Sequence, residues 1–155
     1  MNTSTQQFGR SERLIVVTII LGFLHHVDHV LRFDHSGWPF RSDVTPFTFS
    51  LLAYPLLLAA LFWRSCPWLR VLLVGLVFVG TQFAHIFIET PAQQFGVWAY
   101  NASNEPYALH HPNLLDLRSP LVGYVAVVLS LLLSVAMISA TISLIADARR
   151  SQKAA

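Results

Sequence analysis

The chain holds one cysteine in 155 residues, Cys66, which excludes a disulfide scaffold and any multi-cysteine zinc or iron–sulfur site. Charge is scarce too. Only 12% of residues are Asp, Glu, Lys or Arg, about half the share of a soluble domain. The net charge of +2 is too small to call for a nucleic-acid partner. No internal repeat, heptad or low-complexity tract is visible. Apolar residues make up 54% of the chain and its mean hydropathy is +0.54, which points to an integral membrane protein rather than a water-soluble domain.

Charge-free runs cover residues 44–63, 71–88 and 119–146, with lengths of 20, 18 and 28. A helix needs about 20 apolar residues to cross a hydrocarbon core of about 30 Å. A fourth run begins at Leu14 and ends in histidines, where a leader peptide would carry its cleavage site, so it is read as a retained helix. The expected fold is an all-α integral membrane protein, one four-helix transmembrane domain over residues 1–155. Its spans are 14–33, 44–63, 69–89 and 119–146, with a kink at Tyr54-Pro55 and a long loop over 90–118. Seven basic residues fall in the N-terminus, second loop and C-terminus, against Arg32, Arg41 and Arg118 in the other two loops. The positive-inside rule then predicts a multi-pass protein of the cell membrane with both termini cytoplasmic. Trp38, Phe40, Trp98 and Tyr100 are read as the outer aromatic belt, and Trp63 and Trp68 as the inner one.

The polar residues are sorted by side. All seven histidines and six of the eight acids lie in outer helix halves or outer loops. The outer formal charge is therefore −3 (three basic, six acidic) and the inner one +5 (seven basic, two acidic). On the first helix His25, Asp28, His29 and Arg32 share a face, with His26 to its side; on the third, Gln82, His85 and Glu89 do. Counted from the cytoplasmic ends at about 1.5 Å per residue, His29 and His85 lie roughly 22 and 21 Å deep, and His25 and Gln82 both about 16 Å. Such faces are costly against lipid and should point into the bundle.

His25 and His29 stand one helical turn apart, as do His85 and Glu89, the spacing of a chelating pair. The expected metal site is His25, His29, His85 and Glu89, with Asp28 and Glu89 as catalytic carboxylates. His26, His110, His111 and Gln82 are candidates for a lid or additional ligands. Nitrogen and oxygen donors without thiolate suit a divalent zinc, iron or manganese ion. This reading makes the protein a metal-dependent membrane enzyme (an oxidoreductase, hydrolase or isomerase) acting on a lipophilic small molecule that enters among membrane lipids, near the extracytoplasmic face.

Three alternatives remain. The paired histidines could ligate haem b for electron transfer. The His/Asp/Glu face could carry protons or metal ions, although on this reading no polar residue continues it into the cytoplasmic half. His85 and Glu89 could also serve as a metal-free acid–base isomerase. The segment 83–89 resembles the His-x3-Glu helix of four-helix sterol isomerases over seven residues, and no function is carried across from it. Asp34, His35, Asp43 and Glu105 are read as solvated loop residues. Gly123, Ala126, Ser130 and Ser134 form a small-residue stripe on the last helix suited to close packing, through which a homodimer could form.

Overall fold

The computed structural model describes residues 8–32, 46–103 and 110–154, and every regular element among them is helical. In chain order these are α1 (Arg10–Arg32), α2 (Pro46–Ser50), α3 (Ala53–Phe62), α4 (Pro67–Phe87), α5 (Pro91–Tyr100) and α6 (Pro120–Ala154). Four of them open on proline, whose fixed φ suits the first helical position and whose missing N–H is not needed there. Three helices, α1, α4 and α6, are long and apolar enough to cross a membrane. Only 22%, 22% and 33% of the residues in their apolar windows are buried inside the chain. Most of their apolar surface therefore faces outward, where lipid would solvate it.

The second expected span is broken. Within 44–63, residues 44 and 45 lie outside the described residues, and the remainder forms α2 and α3 with a turn at Leu51 and Leu52. Proline explains the break. Pro55 cannot donate to the Leu51 carbonyl, and its ring disfavours a continuous helix there. That carbonyl instead accepts from the Tyr54 N–H at 3.2 Å, and the Leu52 N–H turns back to the Phe49 carbonyl at 3.0 Å.

The expected loop over 90–118 also needs correction, because its first third is helix α5. Thr90 and Gln93 form a reciprocal cap. The Thr90 hydroxyl accepts from the Gln93 N–H at 3.3 Å, and the Thr90 N–H donates to Gln93 Oε1 at 2.6 Å. Asn101 ends the helix in the left-handed conformation, at φ 56°. Beyond it, the buried Asn113 side chain donates to the carbonyls of Val97 (3.2 Å) and Leu117 (2.8 Å) and accepts from the N–H groups of Leu115 (3.2 Å) and Leu117 (3.1 Å). The Leu114 N–H reaches the Leu31 carbonyl at 2.9 Å, which ties this connection to the end of α1.

Helix α6 lies against α1, α4 and α5. It runs antiparallel to α1, so the Ser11 and Ser143 hydroxyls meet at 2.8 Å at the end of the bundle that holds both described termini. Its small-residue stripe is occupied within the chain: Gly123, Ala126 and Ser130 are buried. A Cβ on Gly123 would stand 2.9 Å from the Phe95 carbonyl and ring. The stripe is thus not an open face for a second copy. The terminal end carries its own polar layer, in which Arg70 donates to Glu12 at 2.7 Å and to the Ala60 carbonyl at 2.7 Å, and Ser11 bonds Asp147. An apolar layer that includes Ile15, Val74, Val77, Leu133, Met137 and Ala140 separates it from the opposite end.

Candidate functional site

At the end of the bundle away from the termini, α1 turns His25, Asp28, His29 and Arg32 inward. His25 is 7% exposed and Arg32 fully buried. Helix α4 brings Gln82 and His85, and Glu89 follows two residues past its last turn. The Ile88 and Glu89 N–H groups share the Ala84 carbonyl, at 2.9 and 2.8 Å, which folds the Glu89 side chain back over α1.

The two faces meet, about one turn out of the expected register. His25 was placed level with Gln82, but its Nε2 faces His85 Nε2 at 3.2 Å. Likewise His29 approaches Glu89 at 3.7 Å rather than standing opposite His85. The run starts at Leu14 and Val71 are 57 residues apart, the paired Glu12 and Arg70 are 58 apart, and His25 and His85 are 60 apart, so the offset grows along the helices. Gln82 sits elsewhere, donating from Nε2 to Ser134 Oγ at 2.9 Å.

The carboxylates belong to an ion cluster around Arg32. Its Nε donates to Asp28 at 2.8 Å and its Nη1 to Glu89. The other Asp28 oxygen accepts from the Trp98 indole at 2.9 Å. Trp98 is therefore a buried partner of Asp28 at 2% exposure, not part of the outer aromatic belt. Such charge-assisted bonds keep two acids neutralised inside the bundle. Glu89 and Asp28 consequently face a guanidinium where the expected site would place a metal ion. Among the described residues, no group of three or more His, Cys, Asp or Glu side chains gathers closely enough to hold a metal.

The histidines, by contrast, form a hydrogen-bonded chain across four helices. Gln94 of α5 donates from Nε2 to the Glu89 carbonyl at 3.4 Å, which directs its Oε1 at Ser130. Ser130 Oγ lies 2.7 Å from that Oε1 and 3.2 Å from His25 Nδ1. Ser130 has a single proton, and both the amide oxygen and the Ala126 carbonyl at 3.2 Å can only accept it, so His25 Nδ1 must carry a hydrogen. With both imidazoles neutral, His25 Nε2 then holds a lone pair and His85 Nε2 donates to it. His85 Nδ1 is left as an acceptor with no partner among the described residues.

His26 does not join this chain. Its Nδ1 lies 2.7 Å from the Tyr54 hydroxyl and 3.0 Å from the Gly22 carbonyl, and its Nε2 lies 2.8 Å from Ser50 Oγ. It thus fastens α1 to the broken α2–α3 segment. His110 and His111 are exposed, with their backbone paired to Ser103, and no contact among the described residues links them to His25 or His85. Asp34, His35, Trp38, Phe40, Asp43 and Glu105 lie outside the described residues. Sequence reasoning missed Gln94 because α5 was read as loop; the Thr90-to-Gln93 capping spacing was the available signal. In the sequence Ser130 stands out only for its size, and Arg32 only as a member of the polar face of the first helix and of the outer basic residues.

Two cavities flank the site. One of about 240 Å³ lies between α4 and α6, lined by Gln82, His85, Ser130 and Ser134 together with Ile86, Val127 and Leu131. The other, about 310 Å³, lies between α1 and the α2–α3 segment, where Phe23, Val27, Phe47 and Leu51 surround His26 and Tyr54. Comparison of the chain with protein-family models, with curated proteins and with solved structures finds no match.

Proposed function

We propose that this chain is a membrane-embedded acid–base enzyme that moves a proton on a lipophilic substrate, with His85 as the group that takes it and His25 as its hydrogen-bonded partner. The observation that carries this reading is the 3.2 Å contact between the two imidazoles, oriented through Ser130 and Gln94 so that one nitrogen of His85 is left to accept. A general base must reach its proton at hydrogen-bond distance, and the 240 Å³ cavity beside His85 gives a substrate that access. Glu89 and Asp28, the expected catalytic carboxylates, here hold Arg32 instead. The α2–α3 segment acts as the fourth membrane element. Both termini lie in the cytoplasm and the histidine pair sits toward the extracytoplasmic side, as the sevenfold against threefold division of basic residues supports. A reporter fused at Arg150 that became active outside the cell would overturn that orientation. The apolar layer between the two polar ends favours chemistry at one face over a proton or ion path through the bundle.

One observation favours a second reading. Two imidazoles bound to one tetrahedral ion at about 2.0–2.1 Å would stand about 3.3 Å apart, close to the spacing of His25 and His85. A zinc, iron or manganese ion there would need further ligands beyond these two. The haem alternative lacks such support, since the facing nitrogens are in direct contact with no gap for a porphyrin between them.

Expression of the wild type, His85→Asn and His25→Asn chains in one host, followed by mass spectrometry of extracted membrane lipids, tests the enzyme reading. The wild type should deplete one lipid species and accumulate an isomer or hydrolysis product, and both variants should abolish the change. Identical lipid profiles in all three strains would refute it. Metal analysis of protein purified without chelator decides between the two forms of the site. Stoichiometric metal lost on His85→Asn would establish the metal form, and metal below a tenth of an equivalent would exclude it.

A further inference from the structure

We infer that the cavity between α4 and α6 takes the head of a long-chain amphiphile bearing a free hydroxyl, a substrate class that rests on the acid–base reading of His85. Size comes first. At about 240 Å³ the cavity is below the roughly 300–1,000 Å³ of sites that enclose a whole drug-sized ligand. It holds a head group and the first few carbons, while the rest of the molecule must lie outside. The residues at its rim are apolar and outward-facing: Ile86 is 60% and Leu131 56% exposed, so the tail continues into lipid along α4 and α6.

Depth comes second. His85 is 14 residues past Val71, where the charge-free run begins, about 21 Å along the helix, in a hydrocarbon core about 30 Å thick. The polar end of the ligand therefore sits in the outer part of the core, within about 9 Å of the membrane–water boundary, with its chain pointing inward, the orientation an amphiphile adopts in a bilayer.

Hydrogen-bonding capacity comes third and selects the head. His85 Nδ1 offers a lone pair. One N–H of Gln82 is given to Ser134; among the described residues its second N–H and its carbonyl oxygen have no partner. Ser134 donates to the Ser130 carbonyl at 3.0 Å and has no proton to give a ligand. Thr90, which also lines the cavity, accepts from the Gln93 N–H and keeps its own hydroxyl proton. The lining thus offers an acceptor on His85, a donor on Thr90 and both a donor and an acceptor on Gln82. A hydroxyl matches this set, giving its proton to His85 Nδ1 and accepting from Gln82. A ketone, aldehyde or ether can only accept, which leaves the His85 lone pair unmatched, and a buried polar atom without its partner is the stronger source of discrimination.

The test uses the full chain, labelled with nitrogen-15 histidine, in phosphatidylcholine nanodiscs, with 1-dodecanol, its methyl ether, dodecanal and dodecane as probes. Dodecanol should move the His85 Nδ1 resonance and raise the melting temperature, and each of the other three should bind at least tenfold more weakly. Gln82→Leu should weaken dodecanol at least tenfold while leaving the His85 tautomer of the ligand-free protein unchanged. Equal binding of the methyl ether or the aldehyde would overturn hydroxyl recognition and leave the acid–base reading standing. A hydrogen found on His85 Nδ1 in the ligand-free protein would overturn both.

Discussion

Replacing Arg32 by methionine removes the guanidinium that Asp28 and Glu89 share while keeping most of the side-chain volume. Arg32 is fully buried, Asp28 accepts from it at 2.8 Å, and Glu89 accepts from the other branch of the same fork. Removing one partner of a buried ion pair typically costs about 3–5 kcal/mol, because the remaining charge has neither water nor a counter-ion. Two acids lose their cation here. Asp28, only partly buried and still bonded to the Trp98 indole at 2.9 Å, bears less of the loss than Glu89, at 5% exposure. The expected destabilisation is therefore near the single-pair figure, about 4 kcal/mol. The assay is equilibrium unfolding in mixed micelles, comparing wild type, Arg32→Met and the triple variant Arg32→Met/Asp28→Asn/Glu89→Gln. The triple variant removes the unpaired charges together with the cation and should recover more than half of the loss. If Arg32→Met cost under 1 kcal/mol, or if the triple variant were no more stable than the single one, the idea that this cluster is held by charge compensation would be wrong.

Three other perturbations follow from contacts already described. Asn113→Ala strips partners from Val97, Leu115 and Leu117; the two leucines are exposed and can turn to water, but Val97 is 1% exposed. The loss should therefore be that of one buried orphan, about 1–3 kcal/mol, and thermal unfolding indistinguishable from wild type would contradict it. Gly123→Ala should destabilise by about 1–2 kcal/mol, as overpacking against Phe95 outweighs the roughly 1 kcal/mol gain in helix propensity; a raised melting temperature would show that α5 yields instead. Ser130→Ala cuts the chain that orients the histidines, so nitrogen-15 spectra should show the tautomers of His25 and His85 change together. A change confined to His25 would disprove their coupling.

The three long helices were legible because hydropathy reports membrane length directly, and the first and third carried their polar faces at a readable helical spacing. The break in the second was foreshadowed by Pro55. Helix α5 was hidden by composition: with Gln93, Gln94, Gly96 and three aromatics it has no apolar run, and only its cap and its proline marked it. The register of His25 against His85 could not be counted from the apolar runs, since the end of such a run fixes depth only to about a turn. The roles of the acids were equally out of reach. A carboxylate one turn from a histidine reads as a ligand until Arg32, on the same face of the first helix, is seen to reach Glu89 as well as Asp28.

Helix α6, which follows the other described helices in the chain, is also the support on which α1 and α4 lean. Contacts between α1 and α4 run through long side chains, Arg70 to Glu12, His85 to His25, and Arg32 to Glu89 on the residues after α4. Ser130, which orients His25, and the groove wall opposite His85 both belong to α6. The order of translation thus leaves the part of the chain before Pro120 inserted with His25 and His85 unarranged. A nascent chain stalled before Pro120 would hold His25 and His85 without the Ser130 that orients them, so that the pair is organised only once α6 is in place.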